Sequence, residues 1–142
     1  MSTSFTDPKK LPYELMSNFR RLPEFEKELT KLSKKYRSLE SDLARLEKVL
    51  LLNPIGVGSN FVLLHNTKHI KIVKSRLACA SLKDRSIRVI YAYHADMSST
   101  EPSISKVPVV SATFLYIEIY FKGQKQNEDR DRIDVYLRGN KG

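Results

Sequence analysis

The sequence predicts an α+β domain in which two amphipathic helices pack on a small β-sheet and a short helix closes the chain. Three observations predict it. Residues 23–52 carry apolar side chains at spacings of three and four, residues 70–93 and 112–122 alternate with period two, and turn-forming residues separate these runs. At 142 residues the chain is long enough for one core and too short for two ordinary ones.

Residues 1–10 are polar, with Pro8 and the pair Lys9-Lys10, and read as a flexible extension before a single domain over 11–142. Leu11 to Asn18 reads as a first strand, interrupted early by Pro12. Pro23 then suits a first helical turn, and Glu24, Glu26 and Glu28 complement the helix dipole. Phe25, Leu29, Leu32 and Tyr36 form one apolar stripe, flanked by Lys27, Lys31, Lys34 and Lys35. Ser38 is placed to cap a second helix, with Glu40 and Asp42 in its first turn and Leu39, Leu43, Leu46, Val49 and Leu50 along one side. Asn53-Pro54 and Gly56 stop it. Each stripe lasts about two heptads, too short for a coiled-coil seam, so the helical hairpin needs a sheet to cover it.

Asn60 to Asn66 reads as a short strand or a loop leading into two strands, Ile70–Ala80 and Ser86–Tyr93, joined by the polar turn Leu82-Lys83-Asp84-Arg85. Alternation places Ile87, Val89, Tyr91 and Tyr93 on one face and Arg88, Ile90, Ala92 and His94 on the other. In the first of the two strands, Leu77 and Cys79 fall opposite Lys74, Arg76 and Ala78. Ala95 to Ser111, with two prolines and five serines, reads as a long loop. A last strand runs from Ala112 to Lys122, with Leu115, Ile117, Ile119 and Phe121 expected in the core and Tyr116, Glu118, Tyr120 and Lys122 outward. Gly123 ends it. The mixed charges around Ile133, Tyr136 and Leu137 suit a short, weakly packed closing helix.

The chain holds 25 Lys and Arg against 16 Asp and Glu, a formal charge of +9. That balance points to a polyanionic partner: nucleic acid, ribosome or an acidic protein. A surface made basic for solubility alone is the competing reading. The charge concentrates in residues 68–91, where Lys68, Lys71, Lys74, Arg76, Lys83, Arg85 and Arg88 face Asp84 alone. A single cysteine, Cys79, allows no internal disulfide and reads as a small core residue in a reducing compartment. His65 and His69 lack a third ligand, so no metal is expected. No run of 18 apolar residues and no signal-like N-terminus is present, which predicts a cytoplasmic protein away from membranes.

The pattern PEFEKELTKLSKKYRSLESDL, the turn LNP, then SRLACASLKDRSIRVIYAY and IEIYFKGQKQNED resembles the RelE/ParE superfamily of bacterial type II toxins. The likeness runs from about Phe25 to Ile133, and its most recognisable pieces are the RVIY strand after a basic turn and the I-x-I-Y-x-K end of the last strand. It implies a helical hairpin on one face of a twisted, mostly antiparallel sheet whose other face is concave and basic. Members similar to RelE and HigB cut messenger RNA in the ribosomal A site without a metal or cofactor, the 2′-hydroxyl attacking the adjacent phosphate. That chemistry needs a base, cations for the phosphorane and an acid for the departing 5′-oxygen.

On this resemblance Lys74, Arg76 and Arg88 hold phosphate, with Glu118 and Tyr120 as further catalytic candidates. The competing reading of Glu118, as an ion-pair partner for Arg88, is the favoured one. Lys68, Lys71, Lys83, Arg85, Lys122 and Lys125 are expected to contact RNA. The family often places a tyrosine or histidine in the C-terminal segment, where Tyr136 and Lys125 are the nearest candidates. His94 shares a face with Arg88, but six residues of strand separate them by about 20 Å. The implied partners are a cognate antitoxin, messenger RNA on the ribosome, and operator DNA only through the antitoxin. Two departures from the family pattern are the 95–111 loop and the N-terminal extension. The alternatives are a gyrase poison similar to ParE and a basic binding protein without catalysis.

Overall fold

The structure, a computed structural model, describes residues 17–95 and 112–139. The extension 1–10 and the 95–111 loop beyond Ala95 lie outside those residues.

The two amphipathic stripes form helices α1 (Pro23–Lys35) and α2 (Leu39–Leu52). Pro23 opens α1, acidic residues occupy its first turn and Lys34 and Lys35 its last, the arrangement that complements the macrodipole. Phe25, Leu29 and Tyr36 are buried, as are Leu39, Leu43, Leu46 and Leu50. Val49 sits at the margin of its stripe and is 43% exposed. Ser38 precedes α2 without capping it through its side chain. Its hydroxyl instead donates to Asp42 Oδ2 (2.7 Å) and accepts the Ser81 N–H (2.9 Å), while the buried Asp42 carboxylate accepts the Ala80 N–H and pairs with Arg45. The start of α2 is thereby fastened to the turn between two strands.

Among the described residues five strands form one mixed sheet: β1 (Ser17–Arg21), β2 (Phe61–Asn66), β3 (Ile70–Cys79), β4 (Asp84–Ala95) and β5 (Ala112–Phe121), in the order β1-β5-β4-β3-β2. β1 runs parallel to β5 and every other pairing is antiparallel. Of the expected strand Leu11–Asn18 only Ser17 and Asn18 are among the described residues; they lie in β1, where Phe19 stacks on Phe114 at 4.5 Å. Residues 61–66 are strand rather than loop.

The sheet has two unlike faces. The hairpin covers one, where Val73, Leu77, Cys79, Ile87, Val89, Tyr91, Phe114, Tyr116 and Ile119 join the α1 and α2 stripes in the main core. On the other, Ile70, Ile72, Ile90, Ala92 and Ile117 lie under the closing helix α3 (Arg130–Gly139), through Ile133, Tyr136 and Leu137. α3 is held more firmly than its mixed charges suggest. Ile133 is buried, and Arg132 clasps Glu28 of α1 with both terminal nitrogens (3.0 and 2.7 Å). Among the described residues no helix is long and apolar enough to cross a membrane.

The alternation expected for β3 and β4 holds, whereas that for β5 breaks in the middle. Ile90 pairs with Glu118 but Tyr91 with Tyr116, so Ile117 is an extra residue bulged out of register. Before the bulge, Phe114 and Tyr116 point to the hairpin and Leu115 away from it; after it, Ile119 and Phe121 point to the hairpin. The expected outward position of Tyr116 and the shared face of Leu115, Ile117, Ile119 and Phe121 are therefore corrected. Tyr116 is fully buried, its hydroxyl donating to Glu47 (3.1 Å), and Leu115 and Ile117 support α3 instead. A single inserted residue reverses the parity of everything beyond it.

Candidate anion-binding site

α3 covers only one end of its face. Towards the β3–β4 turn the apolar residues give way to two rows that carry polar side chains: Lys74 and Glu118 flanking Ile90 in one, Arg76, Arg88 and Tyr120 in the next, each row crossing β3, β4 and β5 by direct pairing. Arg76 and Arg88 are Cα partners on adjacent strands. Like charges placed opposite each other across a sheet repel. Among the described residues neither guanidinium has a carboxylate within ion-pairing distance; Arg88 instead donates to the Arg85 carbonyl, and Arg85 to that of Arg76 (3.4 Å). Burial lowers the Arg88 pKa, and the field of Arg76 lowers it further. An anion between the two would relieve that repulsion, and the guanidinium fork suits phosphate.

Tyr120 completes the row. It is 5% exposed, and among the described residues its buried hydroxyl has no hydrogen-bond partner. Burial, then the nearby carboxylates of Glu128 and Glu118, push its pKa up to about 12, so the phenol keeps its proton at neutral pH. Lys125 lies 5.7 Å from its ring centroid.

In the Lys74 row the charges are matched. Lys74 Nζ donates to Glu128 Oε1 at 2.9 Å, and Glu128, nearly buried, also pairs with Arg130 (3.0 Å). Burial raises the Glu128 carboxyl, but Lys74 and Arg130 outweigh that and hold it below the ordinary carboxylate value. Glu118 is fully buried and pairs with Lys125 while accepting the Asp129 N–H (2.8 Å). The expected Glu118–Arg88 pair is thus replaced by one with Lys125. Glu128 and Asp129 went unnoticed in the sequence because the run NEDRD reads as a solvated, charge-balanced turn. Only the return of the chain after β5 brings it over Lys74 and Glu118.

The other basic candidates divide. Arg85 and Lys83 lie at the β3–β4 turn, where Lys83 adopts φ 57°, and both are exposed; Lys122 follows β5 and donates to the Gln126 carbonyl. Arg76 and Arg85 also line a cleft of about 260 Å³ with Arg45. Lys68 and Lys71 are not brought to this site: Lys68 is in the β2–β3 turn, and Lys71 pairs with Tyr93 on the hairpin side while donating to the Thr67 carbonyl (2.8 Å). His94 and Tyr136 contact each other under α3, with burial lowering the His94 pKa. Among the described residues no group of three or more His, Cys, Asp and Glu is placed to hold a metal ion. No family model, curated protein or solved structure matches the chain.

Proposed function

We propose that this chain is the toxin of a type II toxin–antitoxin pair, a ribosome-dependent endoribonuclease of RelE-like fold that cleaves messenger RNA without a metal. The observation that carries the reading is the Arg76–Arg88 pair, two guanidiniums opposed across β3 and β4, beside the protonated hydroxyl of Tyr120, with neither a carboxylate for the pair nor a hydrogen-bond partner for the hydroxyl among the described residues. The helical hairpin on one face of a mostly antiparallel sheet, and the basic rows on the other face beyond α3, support this reading.

In this reading Arg76 and Arg88 bind the scissile phosphate and stabilise the added charge of the phosphorane. Tyr120 gives its proton to the departing 5′-oxygen. Substrate phosphate competes for Lys74 and releases Glu128, whose carboxylate is ionised at neutral pH, to accept the 2′-hydroxyl proton. Glu118 holds the C-terminal turn through Lys125 and Asp129 and takes no proton. A second reading, RNA binding without cleavage, is favoured by the mutual neutralisation of Lys74 and Glu128 in the free protein.

Induction of the chain in a bacterial host, with messenger RNA 5′ ends mapped within minutes, tests this. New cleavage sites in translated messages are expected, lost in Arg76→Ala/Arg88→Ala and strongly reduced in Glu128→Gln and Tyr120→Phe. Growth arrest with intact messages and DNA damage would instead favour the gyrase poison. RNA retention without new 5′ ends would favour the binding reading.

A further inference from the structure

We infer that the cleft between α1 and the end of β5 binds a small phosphate monoester carrying a flat apolar group, of the size and chemistry of a nucleoside monophosphate. The cleft has a volume of about 390 Å³. Small-molecule sites begin near about 300 Å³, so it has room for one such molecule. One wall is a single side of α1, where Glu28, Lys31, Leu32 and Lys35 stand three or four residues apart. The other is Ile119, Phe121 and the turn after β5. The Gln124 and Lys125 N–H groups both bond the Phe121 carbonyl (2.9 and 3.1 Å) and fold that turn back. Gly123 leaves space for the Phe121 ring, since an added Cβ there would come within 2.6 Å of it, and the ring also meets Tyr36 with centroids 5.7 Å apart. The apolar wall is therefore fixed before a ligand arrives.

The charges around the cleft do not balance. Glu28 is held by both terminal nitrogens of Arg132 and accepts the Ile119 N–H (3.3 Å). Glu118 pairs with Lys125 and accepts the Asp129 N–H. Both carboxylates are thus engaged within the fold. Lys31 and Lys35 are exposed, and among the described residues neither has a carboxylate within ion-pairing distance. Two such ammonium groups match a phosphate monoester, which carries about −1.5 to −2 at neutral pH, better than the single charge of a carboxylate.

The backbone adds one donor and one acceptor. The Lys122 N–H bonds the Ser86 carbonyl, so strand alternation directs the Ile119 and Phe121 backbone groups away from β4. Two of these are the Ile119 N–H and the Phe121 carbonyl, already bonded to Glu28 and to the turn. The Phe121 N–H and the Ile119 carbonyl have no partner among the described residues. The first can donate to a phosphate oxygen, and the second can accept from a hydroxyl such as those of ribose. Leu32 and Phe121 then cover the flat group. Arg76 and Arg88 do not line the cleft, so the inference is independent of RNA cleavage.

The test is titration of AMP, GMP, CMP and UMP into the full, isotope-labelled chain, followed by amide shifts, with adenosine and inorganic phosphate as controls. Shifts centred on residues 31–35 and 119–125 are expected, with the Phe121 amide proton moving downfield as it meets the phosphate. Lys31→Gln/Lys35→Gln, at two exposed positions, should keep the spectrum of the folded chain yet weaken nucleotide binding by about tenfold or more. Adenosine should bind more weakly than AMP by about as much, and Arg76→Ala/Arg88→Ala should leave binding at the cleft unchanged. A 5′-phosphorylated RNA end carries the same group: tighter binding of the dinucleotide pApA than of AMP would assign the cleft to such an end, weaker binding to a free nucleotide, and either supports the inference. No saturable binding of any of the four, shifts confined to Arg76 and Arg88, or a Phe121 amide proton that stays in place would overturn it. So would adenosine or inorganic phosphate binding as tightly as AMP.

Discussion

The two faces of the sheet are made from the same strands and do different work. The hairpin face is apolar apart from the buried Ser75 and, at one end, Lys71, and buried stripes from α1 and α2 close it. The α3 face is apolar only beneath Ile133, Tyr136 and Leu137, after which it becomes a matched ionic row and then an unmatched pair of arginines. The difference teaches where stability and chemistry separate. Like charges facing each other on a sheet oppose folding, and the apolar burial on the hairpin face offsets them.

The strongest way to sharpen that contrast is to damage the sealed face. Leu43→Ala removes a fully buried side chain and should cost about 3 kcal/mol in urea denaturation, whereas Arg76→Ala should stay within about 0.5 kcal/mol of the parent. If Arg76→Ala were the more damaging, the division between the faces would fail.

A smaller effect separates the two rows of the open face. Lys74→Ala leaves the nearly buried Glu128 without its closest cation and should cost about 2 kcal/mol. Arg88→Ala relieves the cross-strand repulsion and should raise the unfolding free energy slightly, by about 0.5 kcal/mol at most. Equal losses from the two substitutions would mean that the Arg76–Arg88 pair is compensated after all.

The smallest effect is one of pH. The folded Glu128 carboxyl titrates below its ordinary value of 4.5, so its contribution is present above the unfolded value and is lost as pH falls through the folded one. Urea midpoints taken from pH 6 down to pH 3 should fall more steeply in the parent than in Glu128→Gln. Parallel curves would remove Glu128 from the acid response.

Much of this was legible in the sequence where local pattern and tertiary contact agree. The stripes of α1 and α2 gave the hairpin, since helical periodicity needs no knowledge of the partner surface, and the alternation in β4 put Arg88 opposite the core correctly. β5 was legible in extent but not in orientation, because its bulge depends on pairing with β4 and every residue around Ile117 suits either face. Lys74 and Arg76 looked alike in the sequence as basic residues two apart. Glu128, 54 residues beyond Lys74, separates them by neutralising one and leaving the other.

The sequence by itself determined the helical hairpin, the strand runs and the basic charge of β3 and β4, all of which follow from periodicity and composition within short windows. Tertiary structure alone decided the reversal of β5 at Ile117, the pairing of Lys74 and Glu118 with the C-terminal turn, and the Arg76–Arg88 pair left without a carboxylate among the described residues. Each of these depends on which distant segment arrives alongside, and the energy of a charge or an unpaired backbone group is set by that neighbour rather than by the residue's own type.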